Sequence, residues 1–507
     1  MLYLITKRSN RYIIYLTLIF VFAVIIRFLY FPQNVYFSYD QARDFYFAQD
    51  ILKGDIRLIG PPSAANQNLF PGPLPLYIYA FIQLLFGKSP EIMSIFFRIY
   101  NALGVFLVFM IVAKLFNKRV ALLSSILYTI SYEQSQYSLI MSHQPLAVLS
   151  VLVFYLGLTM LIFKRKPIGL PILAFGLGLS IQFHYVYVFL LPILLINYLV
   201  FRQGLPKITG KYLTHSTLIF LATISTYIIA EFKFKFKTVI TILGSGSNSL
   251  AHPKEALYAV ERFVHDSFGL DYGYVFLVLF LLVLILFYFF SVEENKKKVA
   301  FLFTWFLGGI LPYFFTGTRG YYYSAGASVS LLILLSLLTV KLSKKYLVIS
   351  ISILLFVILN NFVLIRNQNP RGPNLEIVIQ PGMLLPQEEK AIDFIYQSTQ
   401  EKPLIVKALT VPLKINTTWG YLFEWYGEKN YGYLPVWSEK PAEGFGGSLP
   451  YVTKRSELPD TQFIIIEPVN GIPKSEIDKF FNEESYFTKL VEEKDFGTIV
   501  VQKRMKI

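Results

Sequence analysis

Two carboxylates and an arginine follow the first long apolar run of the chain. Asp40, Arg43 and Asp44 stand close together among aromatic residues. If this stretch is helical, Asp40 and Asp44 share one face, because residues four apart are neighbours on a helix surface. A carboxylate in such a place can act as a general base on a hydroxyl group. The structural alternative is that Asp40 caps a helix that runs to Leu52.

A second polar segment lies between two later apolar runs. It contains Glu133, followed by His143 and Gln144. These side chains could contact a hydroxyl or a phosphate, or they could be hydrogen-bonded residues at a membrane boundary. Glu133 and His143 together offer only two metal ligands, which is too few for a metal site. We therefore predict no defined metal centre and leave a divalent metal open.

Cationic residues beside aromatic ones mark two further segments. Arg319 precedes Tyr322 and Tyr323, and a guanidinium group makes bidentate contacts to phosphate. Lys233 and Lys235 alternate with phenylalanines; as a strand this pattern would place the lysines on one face, where they could attract an anionic lipid. The alternative in both places is a set of snorkelling cations at an aromatic belt.

The composition is that of a membrane protein. Hydrophobic residues make up 54% of the 507 residues, charged residues make up 16%, and there is no cysteine. Soluble domains usually have about 25% charged residues. A span needs about 20 apolar residues. The apolar blocks predict eleven spans, which are 12–31, 95–113, 120–139, 146–163, 168–183, 185–201, 214–231, 273–291, 299–316, 324–340 and 346–365.

Two details of these spans are open to a structural check. The residues 168–201 could form one long or broken span instead of two, because His184 interrupts the run. Arg27 and Arg98 lie near span ends, where we expect their side chains to snorkel towards the membrane surface.

The distribution of charge predicts the orientation. The net charge of +15 comes from short lysine and arginine clusters between the apolar blocks. With eleven spans these clusters lie on the side of the N-terminus, which the positive-inside rule makes cytoplasmic. The exception is Lys233, Lys235 and Lys237, which then face outwards. Segments 32–94 and 232–272 and the tail 366–507 then face outwards. We predict a multi-pass protein of the plasma membrane in contact with the lipid bilayer, with no nucleic-acid partner.

The tail has a different character from the rest of the chain. Residues 404–406 and 463–466 are predicted to be short buried strands, and 387–399 and 474–484 amphipathic helices. The predicted fold class is an all-α polytopic membrane domain, residues 1–365, with a C-terminal soluble α/β domain, residues 366–507. Aromatic residues in the tail could stack on sugar rings or form the core of this domain; they are Trp419, Tyr421, Phe423, Trp425 and Tyr426.

Segment 32–94 resembles the first outer loop of the GT-C glycosyltransferases. An acidic residue follows the first span, then a helix, a turn at Gly54-Asp55 and the proline-rich segment 70–74. This order is similar to that of the protein-mannosyltransferase and aminoarabinose-transferase branch, which is glycosyltransferase family 39-like. The resemblance implies a polyprenyl-phosphate sugar donor and identifies Asp40 as the catalytic base, with Asp44 as a second candidate. Phe70 stands where the family has a histidine.

These inferences combine into one hypothesis and two alternatives. The chain would move a mannose-like hexose or a pentose from a polyprenyl-phosphate donor to a cell-envelope acceptor, which could be a protein, a lipid or a glycan. Arg319, helped by Lys233 or Lys235, would stabilise the departing phosphate, with Arg43 beside the base. The alternatives are a transporter or flippase, and an envelope assembly protein without catalysis. The near absence of ionisable residues inside the predicted spans argues against a transporter.

Overall fold

The fold is seen in a computed structural model of the chain. It describes residues 7–62, 69–237, 239–241, 251–270, 293–317, 320–374, 380–399, 402–447, 449–452 and 454–507, with Leu277 and Leu281 between them. The predicted span 273–291 and Arg319 therefore lie outside the described residues, as does the side chain of Tyr322.

Helices dominate the first two thirds of the described chain. In chain order they are α1 (Lys7–Phe28), α2 (Tyr39–Leu52), α3 (Leu74–Phe86), α4 (Pro90–Ala102), α5 (Gly104–Leu115), α6 (Lys118–Ile130), α7 (Tyr132–Leu139), α8 (Ala147–Ile162), α9 (Gly169–Phe183), α10 (Leu190–Phe201), α11 (Gly210–Thr223), α12 (Ser225–Lys233), α13 (Pro253–Phe268), α14 (Glu293–Thr316), α15 (Val329–Leu342) and α16 (Leu347–Gln368). Short 3₁₀ turns at Tyr185–Phe189 and Tyr321–Ser324 precede α10 and α15.

Several of these helices are long and apolar enough to cross a membrane. Five continuous helical segments meet that test among the described residues, and the bent pair of α11 and α12, which meet at 57°, makes a sixth if it is one span. The five are Arg11–Phe28, Pro90–Leu115, Tyr185–Gly204, Asn295–Thr316 and Leu347–Arg371. Helices α3, α8, α9 and α15 are apolar but shorter. The chain is a multi-pass membrane protein by this criterion, although the predicted number of eleven spans is not confirmed.

Two polar residues break predicted apolar runs. The predicted span 120–139 is divided at Ser131, whose hydroxyl accepts a hydrogen bond from the backbone N–H of Gln134 at 3.4 Å and so begins α7. His184 ends α9 in an extended conformation, and its Nδ1 accepts from the Val186 N–H at 3.1 Å. The division of 168–201 at His184 is confirmed, because this side chain starts a new helix instead of continuing the old one.

The segment of alternating phenylalanines and lysines is not a strand. Helix α12 ends at Lys233, and a turn follows in which Lys235 and Phe236 have φ values of 55° and 58°. These left-handed conformations are incompatible with an extended chain. The prediction that the lysines share one face of a strand is wrong.

Arg27 and Arg98 are buried and do not snorkel. The Arg27 guanidinium donates to the Asn101 side chain at 2.9 Å and to the carbonyl of Tyr128 at 3.1 Å, near the C-terminal end of α6. Arg98 donates to the Asn34 side chain at 2.9 Å and to the carbonyl of Arg27. Helix ends leave carbonyls without partners, and these guanidinium groups supply the missing donors.

The C-terminal part of the chain forms a mixed five-stranded sheet with helices. The strands are β1 (Ile405–Leu409), β2 (Val436–Trp437), β3 (Thr461–Ile466), β4 (Thr488–Asp495) and β5 (Val500–Lys506), and the helices are α17 (Leu385–Gln397), α18 (Thr417–Leu422), α19 (Glu428–Tyr431) and α20 (Lys474–Ser485). The strand order is β2-β1-β3-β5-β4, with β1 parallel to β2 and β3, and β5 antiparallel to β3 and β4. The predicted strands and amphipathic helices of this region are confirmed.

The C-terminal part contacts the start of α2 directly. The Phe37 N–H donates to the carbonyl of Met383 at 3.1 Å, and the Leu385 N–H donates to the carbonyl of Val35 at 2.8 Å. The ring of Tyr421 lies 5.3 Å from that of Phe37 and 5.5 Å from that of Phe45. Residues on both flanks of the α2 N-terminus are therefore held by the sheet region.

Candidate active site

The N-terminus of α2 is fixed by its own polar residues. Ser38 is the N-cap, and the Gln41 side-chain oxygen accepts from the Ser38 N–H at 3.2 Å and from its hydroxyl at 2.9 Å. Asp40 lies in the first turn, so the alternative that it caps the helix is wrong. The helix runs from Tyr39 to Leu52, as predicted. A carboxylate in the first turn is favoured by the helix dipole.

Arg43 connects the two candidate carboxylates. Its Nη1 donates to Asp40 Oδ1 at 2.7 Å, while its Nε and Nη2 donate to Asp44 Oδ1 at 2.9 and 2.8 Å. The guanidinium carbon also lies 5.5 Å from the centre of the Tyr39 ring. Two carboxylates share one cation, so the cluster carries a net negative charge when both are ionised.

The two carboxylates differ in exposure. The side chain of Asp40 is 59% exposed and that of Asp44 is 3% exposed. Burial raises the pKa of Asp44 from its ordinary value to about 6, against the opposing effect of Arg43. The Asp40 carboxylate is therefore open to solvent, whereas that of Asp44 is enclosed and bound to Arg43.

The segment with His143 and Gln144 lies against the same end of α2. The Gln41 Nε2 donates to the carbonyl of Met141 at 3.0 Å. Burial, together with the nearby His184 and Arg43, lowers the pKa of His143 well below its ordinary value. The predicted site residues His143 and Arg43 are thus brought together. Gln144 is buried, and its side-chain oxygen accepts from the Ser142 hydroxyl.

A row of rings leads from His143 to the turn before α15. The rings of His143 and His184 are stacked with centroids 5.6 Å apart, and the ring of Tyr323 lies 5.2 Å from that of His184. Tyr323 is buried. Two distant predicted site residues, His143 and Tyr323, therefore flank one histidine that interrupts the helical run.

The proline-rich segment packs against the C-terminal end of α9 and against α12. The carbonyl of Phe70 accepts from the hydroxyl of Tyr227 at 3.1 Å. A Cβ on Gly72 would lie 2.1 Å from the Gln182 side-chain oxygen, so only glycine allows this close approach. Phe70 is half-buried and offers no titratable group where the family has its histidine.

Three other predicted site residues, Glu133, Lys233 and Lys235, make no contact with the cluster of Asp40, Arg43 and Asp44 among the described residues. Glu133 is fully buried and accepts from the hydroxyl of Ser328 and from the Gln134 amide at 3.3 Å. Lys233 and Lys235 are exposed at the end of α12. Neither lysine contacts Asp40 or Asp44 among the described residues. Within the same part of the chain, no group of three or more histidine or acidic side chains could hold a metal.

A buried arginine was missed by the sequence analysis. Arg262 on α13 donates to the hydroxyls of Tyr313 at 2.8 Å and Ser324 at 2.9 Å, and it lies within electrostatic reach of Glu133. The signal was the position of Arg262 beside Phe263 on the apolar face of an amphipathic helix. Arg262 therefore places a guanidinium group next to the Tyr321–Ser324 turn.

Two buried carboxyl groups behind the α2 N-terminus were also missed. Glu467 accepts from the Val411 N–H at 2.7 Å, the Trp419 Nε1 at 2.9 Å and the Gln380 amide. Burial raises the pKa of Glu467 to about 7, and it raises the pKa of Glu388 well above its ordinary value. Neither acid lies in a motif, so only the tertiary contacts indicate them.

Comparisons with known proteins agree on the helical architecture. Residues 71–229 match the family described as dolichyl-phosphate-mannose-protein mannosyltransferase. The crystal structure of ArnT from Cupriavidus metallidurans bound to undecaprenyl phosphate is similar, with a TM-score of 0.62, 10% identity, and coverage of 96% of this chain and 97% of that one. Its apo form gives 0.61 and 10%, with 98% of each chain covered. No curated protein matches the sequence.

Proposed function

We propose that this chain is a membrane glycosyltransferase of the GT-C superfamily, which its fold and the family match over residues 71–229 support. Its donor is a polyprenyl-phosphate sugar, the kind of lipid phosphate named in the similar ArnT structure. The sugar is a mannose-like hexose or a pentose. The acceptor is a hydroxyl group of the cell envelope on the outer side of the membrane.

The observation that carries this proposal is the exposed carboxylate of Asp40 beside Arg43. Asp40 accepts the proton of the acceptor hydroxyl while the acceptor oxygen attacks the anomeric carbon. The bond between that carbon and the phosphate oxygen breaks, and the polyprenyl phosphate leaves with the electron pair. One displacement inverts the anomeric configuration. Asp44 positions Arg43 and does not itself take the proton, since its side chain is buried.

Fixed cations stabilise the negative charge that grows on the leaving phosphate. Arg319 remains the candidate that the sequence indicates, and Arg262 lies behind the same turn through Tyr313 and Ser324. Lys233 and Lys235 are exposed, where they attract the anionic donor to the membrane surface.

The proposed topology follows from the charge distribution. Residues 1–365 form the membrane domain with a cytoplasmic N-terminus, and 366–507 form an extracytoplasmic domain. The backbone hydrogen bonds from Phe37 to Met383 and from Leu385 to Val35 support the proposal that α2 and the sheet lie on the same side of the membrane.

A carrier for a lipid or glycan is the second candidate. The near absence of ionisable groups inside the predicted spans argued against it, yet Arg27, Arg98 and Glu133 are buried within or beside those spans. Buried ionisable groups at membrane depth often mark transport pathways. The contacts of both arginines with helix ends favour a structural role for them.

The decisive experiment incubates the purified protein with radiolabelled polyprenyl-phosphate hexoses or pentoses and cell-envelope acceptors. We expect labelled product from the wild type and a rate about a hundred- to ten-thousandfold lower from Asp40→Asn. Asp55→Asn is the matched control, because Asp55 is equally exposed in the same segment but pairs with Arg57. An undiminished transfer rate in Asp40→Asn would refute the proposal that Asp40 is the general base. Movement of the labelled lipid across vesicles without transfer would identify a carrier.

A further inference from the structure

A second aromatic residue lies beside Asp40 and comes from the far end of the chain. The ring of Phe445 lies 6.4 Å from that of Tyr39, with the two planes tilted by 58°. Tyr39 immediately precedes Asp40 on α2, and its ring also faces the Arg43 guanidinium. The sheet region thus adds an aromatic side chain to the first turn of α2.

Two glycines that follow Phe445 hold its loop against α2. A Cβ on Gly446 would lie 2.4 Å from the Tyr46 ring, and Gly447, with φ of 86°, approaches the backbone of Gly420. The Tyr46 hydroxyl donates to Glu424 at 2.8 Å, which fixes the surface on which the loop rests. The loop is therefore placed by close backbone contact, and Phe445 has little freedom to leave Tyr39.

Phe445 remains open to solvent although its neighbours are packed. Its exposed fraction is 38%, and Tyr39 is half-buried. By contrast Trp419, Tyr421 and Phe423 are buried, which favours the core alternative for these three over stacking on sugar rings. Among the described residues, Tyr39 of α2 and Phe445 of the sheet region form a partly exposed aromatic pair at the turn that carries Asp40.

We propose that Tyr39 and Phe445 form the acceptor subsite, and that the acceptor is a neutral saccharide whose ring lies on this pair with one hydroxyl at Asp40. This inference rests on the proposed function and adds the chemical class of the acceptor. The faces of aromatic rings carry partial negative charge, which attracts the slightly positive C–H groups on the face of a pyranose. The hydroxyl groups at the edge of the sugar then meet Asp40 and Arg43.

The charges around the pair favour a neutral sugar over an anionic lipid headgroup. Asp40 is an exposed carboxylate, and the adjacent Arg43 is already bound by two carboxylates. The charged pair of Lys440 and Glu443 in the same loop is internally neutralised. A peptide acceptor would need hydrogen-bonding partners for its backbone, whereas the two rings offer only apolar surface. An acceptor peptide is therefore an outcome for the test to exclude.

The first experiment measures binding without any donor. Purified full-length protein is applied to arrays of neutral hexose and pentose oligosaccharides and of peptides that contain serine and threonine. We expect retention on at least one oligosaccharide, about tenfold weaker for Phe445→Ala and Phe445→Leu, and near wild-type for Phe445→Trp. Tyr486→Ala is the control, because Tyr486 is 79% exposed on the same sheet region and should not affect binding. The proposed subsite would be rejected by retention on peptides alone or by no retention on any sugar. It would also be rejected if Phe445→Ala bound the oligosaccharide as tightly as the wild type.

The second experiment separates this inference from the proposed function. With a retained oligosaccharide as acceptor and a labelled polyprenyl-phosphate sugar as donor, Phe445→Ala should raise the acceptor KM about tenfold and leave kcat within about twofold. Asp40→Asn should lower kcat. Sugar binding that depends on Phe445 without any transfer would reject the transferase and keep the subsite. Transfer with an unchanged KM in Phe445→Ala would reject the subsite and keep the transferase. Thermal unfolding of each variant shows whether it is folded.

Discussion

At the scale of single residues, Asp40 and Asp44 differ in burial, and this difference is the basis of the separate roles proposed for them. Both belong to one helix and both bind Arg43, yet only Asp40 is open to a substrate. The sequence predicted the pair from the spacing and from the family resemblance. It could not distinguish the two carboxylates, because their difference in exposure arises from what packs against the other side of α2.

Protonation of Asp44 should appear in the pH dependence of transfer. The pKa of Asp44 is about 6, so below that pH the neutral side chain loses its ionic contact with Arg43. Arg43 then pairs with Asp40 alone and makes it a weaker base. We expect the transfer rate to fall as the pH drops through about 6, and Asp44→Asn to remove this inflection. An inflection that survives in Asp44→Asn would assign it to another group.

At the scale of the helices, buried polar residues hold neighbouring helices together. The apolar pattern of the sequence shows these helices only as separate segments. Arg27 and Arg98 connect α1, α4 and α6 through backbone carbonyls and asparagines. The sequence placed these arginines near span ends but assigned them to the membrane surface. Their burial depends on carbonyls that become available only when the helix ends meet.

Loss of Arg27 should destabilise the helical bundle. In Arg27→Ala the carbonyl of Tyr128 and the side chain of Asn101 lose their donors, at a cost of about 3 kcal/mol in the free energy of unfolding. Thermal unfolding in detergent should therefore occur at a lower temperature. Arg11→Ala is the control, since Arg11 is exposed on the same helix. Equal unfolding temperatures for the two variants would contradict the structural role.

A methyl group at position 72 should separate the proline-rich segment from α9. In Gly72→Ala the added Cβ meets both the side-chain and the backbone oxygen of Gln182 within 2.6 Å. Because a backbone oxygen cannot move aside as the end of a side chain can, the segment must move away from Gln182. We expect lower thermal stability and a lower transfer rate. Gly210→Ala is the control and should be nearly neutral, since nothing lies within 4 Å of a Cβ on Gly210 and its φ is not positive.

At the scale of the whole molecule, the sheet region and segment 32–94 pack together as one structural unit. Backbone hydrogen bonds join Phe37 to Met383 and Leu385 to Val35, and Tyr421 packs on the apolar side of α2. Tyr36 lies within electrostatic reach of Asp40, Glu388 and Glu467. A change in the stability of the sheet region should therefore affect the first turn of α2, which carries Asp40.

The buried Glu467 makes this stability depend on pH. Its pKa is about 7 in the folded protein and 4.5 ordinarily, so the folded state binds the proton more tightly. The free energy of unfolding should then fall by roughly 3 kcal/mol as the pH rises from 4.5 to 7, and stay level above that. Unfolding followed by circular dichroism from pH 5 to 8 tests this, and Glu467→Gln should flatten the curve. An equally steep curve in that variant would point to Glu388.

The sequence by itself determined the membrane class, the positions of most helices, the strands of the tail and the segment that carries Asp40. Apolar run length and periodicity are local properties, and the family resemblance in segment 32–94 is carried by local motifs. The tertiary structure decided which polar groups are buried and which meet. Arg262 behind the Tyr321–Ser324 turn and Phe445 beside Tyr39 come from parts of the chain with no shared motif. Their proximity depends on helix packing and on glycine contacts between distant segments, which no local pattern encodes.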